Sequence, residues 1–101
     1  MADLDGRVVV VTGGNGGIGL GMADALARAG ADIAVWGRNA EKNAAAADQL
    51  GAHGRRVSTY VVDVAQEEEI VEAMAATLAD LGRVDTMIAN AGVGAGRGAP
   101  F

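Results

Sequence analysis

Short apolar runs alternate along this chain with segments whose apolar residues recur every three or four positions. The runs are rich in valine, isoleucine and alanine, and such runs are typical of strands buried on both faces of a sheet. Four strands are expected, at Arg7–Thr12, Ala31–Trp36, Arg56–Val62 and Val84–Ala89. Three helices are expected between them, at Gly17–Ala29, Ala40–Leu50 and Gln66–Leu81. The pattern therefore predicts three strand–helix units followed by a fourth strand.

The first and third predicted helices each carry an apolar stripe at helical spacing. The two stripes consist of Ile18, Met22, Leu26 and Ala29 in the first helix, and of Ile70, Met74, Leu78 and Leu81 in the third. Three glutamates, residues 67–69, open the third helix, where the helix dipole favours acidic side chains. Gly30, Gly51 and Gly82 follow the three helices and are expected to end them. We expect each stripe to face the sheet.

Alternation of apolar strands with helices is typical of an α/β fold, in which right-handed crossovers join parallel strands. The expected architecture is a doubly wound parallel sheet with strand order 3-2-1-4. The first two helices would cover one face, and the third helix would cover the other. A single helix would then cover the second face, and the fourth strand would lie at a bare edge. We therefore expect residues 1–101 to be the N-terminal portion of one larger domain.

A glycine-rich turn, Thr12-Gly13-Gly14-Asn15-Gly16-Gly17-Ile18-Gly19, lies between the first strand and the first helix. Glycine lets the backbone approach a phosphate group closely, and the first N–H groups of the following helix point towards the negative charge. The glycines fit two spacings, G-x-G-x-x-G from Gly14 and T-G-x-x-x-G-x-G from Thr12. A turn without a ligand would not need so many glycines, because each one raises the entropic cost of folding. The segment therefore predicts a nucleotide-phosphate site.

Composition narrows the class of partner. The net charge is −5 and no basic stripe occurs, which argues against nucleic acid. The chain has no cysteine, which excludes disulfides and thiolate metal sites, and we predict no metal site. No apolar run approaches the roughly 20 residues that span a bilayer, and the acidic start lacks the features of a signal peptide. We expect a cytoplasmic protein that binds neither nucleic acid nor membrane, with His53 solvated in a polar turn.

Three motifs, in order, resemble those of the short-chain dehydrogenase/reductase family. The glycine turn from Thr12 to Gly19 resembles the family's cofactor motif. Asp63-Val64 follows the third predicted strand and resembles its adenine-binding pair, and Asn90-Ala91-Gly92 follows the fourth and resembles its N-A-G motif. Ala89 stands where many members carry a further asparagine. The resemblance covers nearly the whole chain and implies a Rossmann-type fold that binds a nicotinamide cofactor.

The resemblance also implies which residues contact that cofactor. The residues of the glycine turn expected to surround the pyrophosphate and the adenosine ribose are Gly13, Asn15, Gly16, Gly17, Ile18 and Gly19. Asp63 would accept a hydrogen bond from the adenine amino group, with a backbone contact from Val64. Asp63 has a second interpretation, as a cap for the helix that starts near Gln66, and both interpretations stay open.

Two further sites are expected where the fourth strand ends. The resemblance implies that Asn90 lies beside the glycine turn and that Ala91 and Gly92 line the cofactor; a strand-end turn is the other interpretation of Asn90. We also expect Thr12 to form a hydrogen bond across to the end of the fourth strand. These contacts would brace the two strands that frame the site.

The end of the second strand predicts the choice of cofactor. The sequence there is Gly37-Arg38-Asn39, with no acidic residue. An acid at this point would bind the ribose hydroxyls of NAD, whereas a guanidinium can hold the 2′-phosphate of NADP with two hydrogen bonds. We therefore expect NADP, with NAD possible, and place Arg38 and Asn39 in the site. The alternative for Arg38 is a solvated residue near a helix start, and the glycine turn itself contains no second basic residue.

The catalytic groups that the resemblance implies are not found in this sequence. The family uses a tyrosine and a lysine four residues apart, in which the lysine lowers the tyrosine pKa. Tyr60 and Lys42, the single tyrosine and the single lysine, cannot form that pair, so we expect Tyr60 to be a core or sheet-surface residue. The resemblance implies an NAD(P)-dependent oxidoreductase of small alcohols and carbonyls, a dimer or tetramer, represented here by its cofactor-binding half. The alternative is an inactive dinucleotide-binding module, or a subunit completed by another chain.

Overall fold

The computed structural model describes residues 4–90, and it confirms the predicted order of elements. The strands are β1 (Val8–Thr12), β2 (Asp32–Gly37), β3 (Val57–Val61) and β4 (Thr86–Ala89). The helices are α1 (Gly17–Arg28), α2 (Ala40–Gly51) and α3 (Glu67–Leu81). Gly82 has a left-handed φ of 86° and ends α3 as predicted, and α2 ends with Gly51 as its last residue, one position later than expected.

The strands run parallel in one sheet of order β3-β2-β1-β4, as predicted. The central strand β1 pairs on one side with β2, where Thr12 lies opposite Trp36, and on the other side with β4, where Thr12 lies opposite Ala89. All the carboxyl ends therefore lie along one edge of the sheet. Successive strands are added on one side of β1 up to β3 and on its other side at β4, and this reversal of strand order makes that edge the expected place for a ligand.

Alternate residues of the strands build two cores, one on each face of the sheet. The core on the face covered by α1 and α2 contains Val9, Val11, Ala23, Ala27, Ala31, Ile33, Val35 and Leu50. The core on the face covered by α3 contains Val8, Val10, Ala34, Trp36, Val62, Ala73 and Leu81. The predicted division of the helices between the two faces is therefore confirmed.

The predicted stripes of α1 and α3 are confirmed in part, since Leu26 packs against one core, Ile70 and Met74 pack against the other, and Leu81 is buried in it. The most buried residues are Gly19, Ala23 and Ala27 in α1, and Ala73, Thr77 and Leu81 in α3. Ile18 is 75% exposed and Leu78 is 45% exposed, so the prediction that these two side chains face the sheet is wrong. Three alanines, Ala23 and Ala27 in α1 and Ala73 in α3, join the cores beside the valines and Trp36 of the strands.

Trp36 explains why α3 presents a hydroxyl to the sheet. The indole Nε1 of Trp36 donates to Thr77 Oγ1 at 3.1 Å, and the hydroxyl of Thr77 donates to the carbonyl of Ala73 at 2.7 Å. Both Trp36 and Thr77 are buried. Because a buried N–H without an acceptor is costly, this bond fixes the rotation of α3 on the sheet.

His53 is half-buried, which corrects the expectation of a solvated turn residue. Its Nε2 lies 2.8 Å from Asp24 Oδ1, and Asp24 Oδ2 accepts from Arg28 at 2.9 Å. The hydrogen bond from His53 lowers the pKa of the Asp24 carboxyl. The contact joins α1 to the turn between α2 and β3, which periodicity within one element cannot reveal.

Candidate functional site

A cleft of about 460 Å³ lies where β1, β2 and β3 end. The glycine turn, the end of β2, the start of α2 and the segment after β3 form its walls. Six of the residues predicted for the site line this cleft: Gly13, Asn15, Arg38, Asn39, Asp63 and Val64. The structure therefore brings together residues from three separate parts of the chain.

The glycine turn leads from the cleft into the amino end of α1. α1 begins at Gly17, and within residues 4–90 no side chain caps its first turn, which also contains no acidic residue. In contrast, Asn39 Oδ1 caps α2 by accepting from the Lys42 amide at 2.9 Å, and three glutamates open α3. Among the three described helices, α1 is thus the one whose amino end has neither a side-chain cap nor an acidic residue, so its N–H groups can bind an anion.

The surface at the start of α1 is open. A Cβ built at Gly16 or Gly17 would meet no described heavy atom within 4 Å, and the next residue, Ile18, is exposed. A ligand can therefore approach the backbone of this first turn directly. The arrangement suits a phosphate group, which backbone N–H groups can contact without side chains in the way.

Gly19 serves a different purpose, because it is buried beneath the turn. A Cβ at this position would overlap the carbonyl oxygen of Gly13 and lie 2.6 Å from Asn90 Nδ2. Glycine therefore allows α1 to pack directly against the turn and against the end of β4. The structure places Gly19 as a support of the cleft wall.

The hydroxyl of Thr12 joins the ends of β1 and β4. It donates to the carbonyl of Ile88 at 3.3 Å and accepts from the amide of Asn90 at 2.8 Å, and the bond predicted from Thr12 is confirmed. Asn90 Nδ2 lies 3.5 Å from the carbonyl oxygen of Gly13, so Asn90 lies beside the glycine turn as expected. Ala91 and Gly92 lie outside the described residues.

Asp63 forms a tight turn after β3. Its Oδ1 accepts from the amide of Ala65 at 3.0 Å, and its own amide donates to Glu69 Oε1 at 2.8 Å. The N-cap residue of α3 is Gln66, so the interpretation of Asp63 as the helix cap is wrong. The side chain is instead oriented by the turn at the wall of the cleft, where Val64 follows it.

Two cations line the cleft at the end of β2. Arg38 and Lys42 are exposed, and neither side chain has a hydrogen-bond or ion-pair partner within residues 4–90. Among the described residues that line the cleft, Asp63 is the one with an acidic side chain. The local charge is therefore positive, although the whole chain carries −5.

Sequence reasoning missed Lys42 as a site residue. The second basic group was expected within the glycine turn, which has none, whereas this lysine comes from the first turn of α2. Asn39 caps that turn, and Lys42 lies four residues after Arg38. The signal that could have found it is this spacing, which follows directly from the predicted start of the helix.

Tyr60 lies on the α3 face of the sheet, packed partly against the core there. Its hydroxyl donates to Asp80 Oδ2 at 2.7 Å. Burial raises the pKa of the phenol, and the hydrogen bond to Asp80 adds to this shift. A proton-exchanging tyrosine needs the opposite shift, so the geometry agrees with the expectation of a sheet-surface residue.

Two further features were considered for residues 4–90, a metal-binding cluster and a membrane-crossing helix. No group of three or more potential metal-binding side chains was found there. No helix there has the length and apolar character needed to cross a membrane.

Comparison with known proteins gave consistent matches. Residues 7–101 match the family model described as short chain dehydrogenase. Gluconate 5-dehydrogenase of Gluconobacter oxydans is 41% identical over 93 residues, which make up 92% of this chain and 36% of that protein. Carveol dehydrogenase from Mycobacterium avium, solved in complex with NAD, has a TM-score of 0.87 at 32% identity, covering 93% of this chain and 38% of that one.

NAD⁺-bound xylitol dehydrogenase gives a TM-score of 0.82 at 33% identity, covering 84% of this chain and 33% of that one. The chain thus spans well under half the length of each of these proteins.

Proposed function

Because this chain belongs to the short-chain dehydrogenase/reductase family, we propose that it is the cofactor-binding portion of an NADP(H)-dependent oxidoreductase. The proposed reaction is hydride transfer between the cofactor and a small alcohol or carbonyl substrate. Residues 1–101 would then be the N-terminal portion of a single nucleotide-binding domain. The observation that carries the proposal is the positive cleft at the end of β2, next to the uncapped amino end of α1.

The described residues fit a dinucleotide. The open backbone at Gly16 and Gly17 would hold the pyrophosphate against the amino end of α1, beside Gly13, Asn15 and Ile18. Asp63 and Val64 would bind the adenine, since both line the same cleft. Asn90, Ala91 and Gly92 would line the cofactor where β4 ends. When bound, the nicotinamide group carries the hydride that the reaction transfers.

Arg38 and Lys42 favour NADP over NAD in this proposal. The 2′-phosphate of NADP carries the negative charge that distinguishes the two cofactors, and two unpaired cations face the region that would receive it. A carboxylate at the end of β2 would repel the phosphate, and none is present in the sequence Gly37-Arg38-Asn39. The solved carveol and xylitol dehydrogenases hold NAD, so a direct comparison of the two cofactors is the decisive measurement.

The catalytic tyrosine and lysine would be supplied by residues other than Tyr60 and Lys42. We further propose a homodimer or homotetramer located in the cytoplasm, as the resemblance implies. An inactive dinucleotide-binding module remains the alternative, and nothing in the described residues or the comparisons favours it.

The test uses the full-length protein and measures the binding of NADPH and NADH by calorimetry. Arg38→Gln and Lys42→Gln should each weaken NADPH binding about 10- to 100-fold, the value of one hydrogen bond to a charged group. Neither change should affect NADH much, because NADH has no 2′-phosphate. Arg28→Gln is the matched control, since Arg28 is 71% exposed in α1 and does not line the cleft.

The proposal of NADP would be overturned if the unchanged protein bound NADH more tightly than NADPH. It would also fail if both substitutions left NADPH binding at the level of the Arg28→Gln control. A protein that binds neither nucleotide would contradict the proposed function as a whole.

A further inference from the structure

Asn43 is a buried amide that ties the ends of two strands to the glycine turn. The residue lies in α2 and is 1% exposed. Its Nδ2 donates to the carbonyls of Gly37 at 3.0 Å and of Tyr60 at 3.2 Å, and its Oδ1 accepts from Asn15 Nδ2 at 2.9 Å. Because a carbonyl oxygen can only accept, the nitrogen of the Asn43 amide must face these two carbonyls and its oxygen must face the turn.

The contact between Asn15 and Asn43 fills the space beside Gly37. A Cβ at Gly37 would overlap Asn15 Nδ2 and Asn43 Oδ1, and would lie 3.0 Å from Asn15 Cγ. The φ of Gly37 lies outside the left-handed region, so its backbone would accept any residue. A side chain at position 37 is therefore excluded because the side chains of Asn15 and Asn43 already fill the space.

Neither asparagine can easily move away from Gly37. Asn43 is held by its two carbonyl partners, and moving it would leave buried polar groups unpaired. Asn15 has a short side chain that comes from the turn and reaches Asn43 directly. The side chains of Asn15 and Asn43 are therefore held in place over Gly37, the last residue of β2.

The blocked position is the one that decides between the two nicotinamide cofactors. An acid at the end of β2 would bind the ribose hydroxyls of NAD, and Gly37 lines the cleft at that point. Arg38 and Lys42 can attract a phosphate, and the glycine at position 37 denies the ribose hydroxyls a carboxylate partner. Selectivity is generally stronger when exclusion accompanies attraction.

We propose that Asn43 is a positioning residue for cofactor selectivity: it holds Asn15 over Gly37 and so commits this position to glycine, which leaves the ribose site without the carboxylate that NAD would use. The proposal rests on the proposed function, since it concerns the choice between NADP and NAD. Asn43 itself is not among the residues that line the cleft, and it acts through Asn15.

The packing part of the proposal is tested in the full-length protein by a double-mutant cycle. Gly37→Ala adds only the Cβ and should lower the midpoint of thermal unfolding. The same change should cost less in an Asn43→Ala background, because Asn15 is then free to withdraw; Asn15→Ala is a second background if Asn43→Ala does not fold. Gly51→Ala is the control, since a Cβ there meets no described heavy atom within 4 Å, and its effect should be the same in every background.

The selectivity part is tested with Gly37→Asp and the dissociation constants of NADPH and NADH. Alone, this change should weaken both cofactors without reversing the preference, because the carboxylate cannot reach its position. Combined with Asn43→Ala or Asn15→Ala, it should shift the preference towards NADH by a further factor of about ten or more. A merely structural role for Asn43 would lower stability but leave the ratio of the two constants unchanged.

Three outcomes overturn the inference. The first is an additive stability cycle, and the second is a Gly37→Asp protein that is as stable as the unchanged one and already prefers NADH. The third is a coupled stability cycle with no additional shift in cofactor preference. If the unchanged protein binds neither nucleotide, the proposed function fails, whereas the stability cycle still decides whether Asn15 and Asn43 exclude a side chain at Gly37.

Discussion

Replacing Gly19 with alanine would test whether α1 must lie directly on the glycine turn. A Cβ at this position would overlap the carbonyl oxygen of Gly13 and lie 2.6 Å from Asn90 Nδ2. The oxygen cannot withdraw easily, because the amide of Gly13 donates to the carbonyl of Trp36 at 2.8 Å and so continues the pairing of β1 with β2. The added methyl group must therefore push the helix away from the turn.

Gly21 provides a matched control in the same helix. It is exposed, and a Cβ there would meet no described heavy atom within 4 Å. Alanine at either position gains about 0.5–1 kcal/mol of helix propensity, so the difference between the two variants isolates the contact. Forcing a methyl group into a filled site costs about 1–3 kcal/mol. The free energy of unfolding should therefore rise for Gly21→Ala. The value for Gly19→Ala should lie about 1–3 kcal/mol below that of Gly21→Ala.

The assay is urea denaturation of the two full-length variants, followed by far-ultraviolet circular dichroism. Calorimetry with NADPH accompanies it, and Gly19→Ala should weaken binding more than Gly21→Ala because the displaced helix carries the proposed phosphate contacts. Equal free energies of unfolding for the two variants would refute the argument that Gly19 is required by close packing.

Two further predictions concern the contacts that hold the helices. The hydrogen bond from His53 lowers the pKa of Asp24 below its ordinary value of 3.8, so the stabilisation is complete above that pH and is lost as the pH falls through the lowered pKa. Asp24→Asn should therefore make the free energy of unfolding depend less steeply on pH below about pH 4, and equal slopes in urea titrations would contradict this. Thr77→Val should cost about 1–3 kcal/mol, because it leaves the buried indole N–H of Trp36 without its acceptor. Thr77→Ser keeps the hydroxyl and should recover much of that loss in the same titration; equal losses would argue against the bond.

The order and topology of the elements could be predicted because the strands are unusually clear in this sequence. The valine run of β1 and the glycines after it mark a buried strand and a turn without reference to the rest of the chain. The faces of the helices were harder to predict. Ile18 and Leu78 fit an apolar stripe by spacing, yet Gly19 and Thr77 are the buried residues. Gly19 lies directly on the glycine turn, and Thr77 accepts a hydrogen bond from the indole of Trp36.

The candidate site was predicted where it depends on strand ends, and missed where it depends on contacts between elements. Thr12 and Asn90 were placed correctly because both directly follow or end a strand. Lys42 and Asn43 were missed because their importance comes from where α2 begins relative to β2, and from a hydrogen bond across to the glycine turn. The cofactor contacts themselves stay predictions.

The position of β1 in the sheet has a consequence for how the protein is made. β1 leaves the ribosome before the other strands, and one of its edges can pair with β2 once the short crossover through α1 is complete. Its other edge pairs with β4, and the bond between Val8 and Asp85 joins residues 77 positions apart. Until β4 has been synthesised, four consecutive valines keep an unpaired edge that can join another nascent chain. Translation of the segment before Thr86 is therefore an interval in which this edge of β1 can pair with another chain.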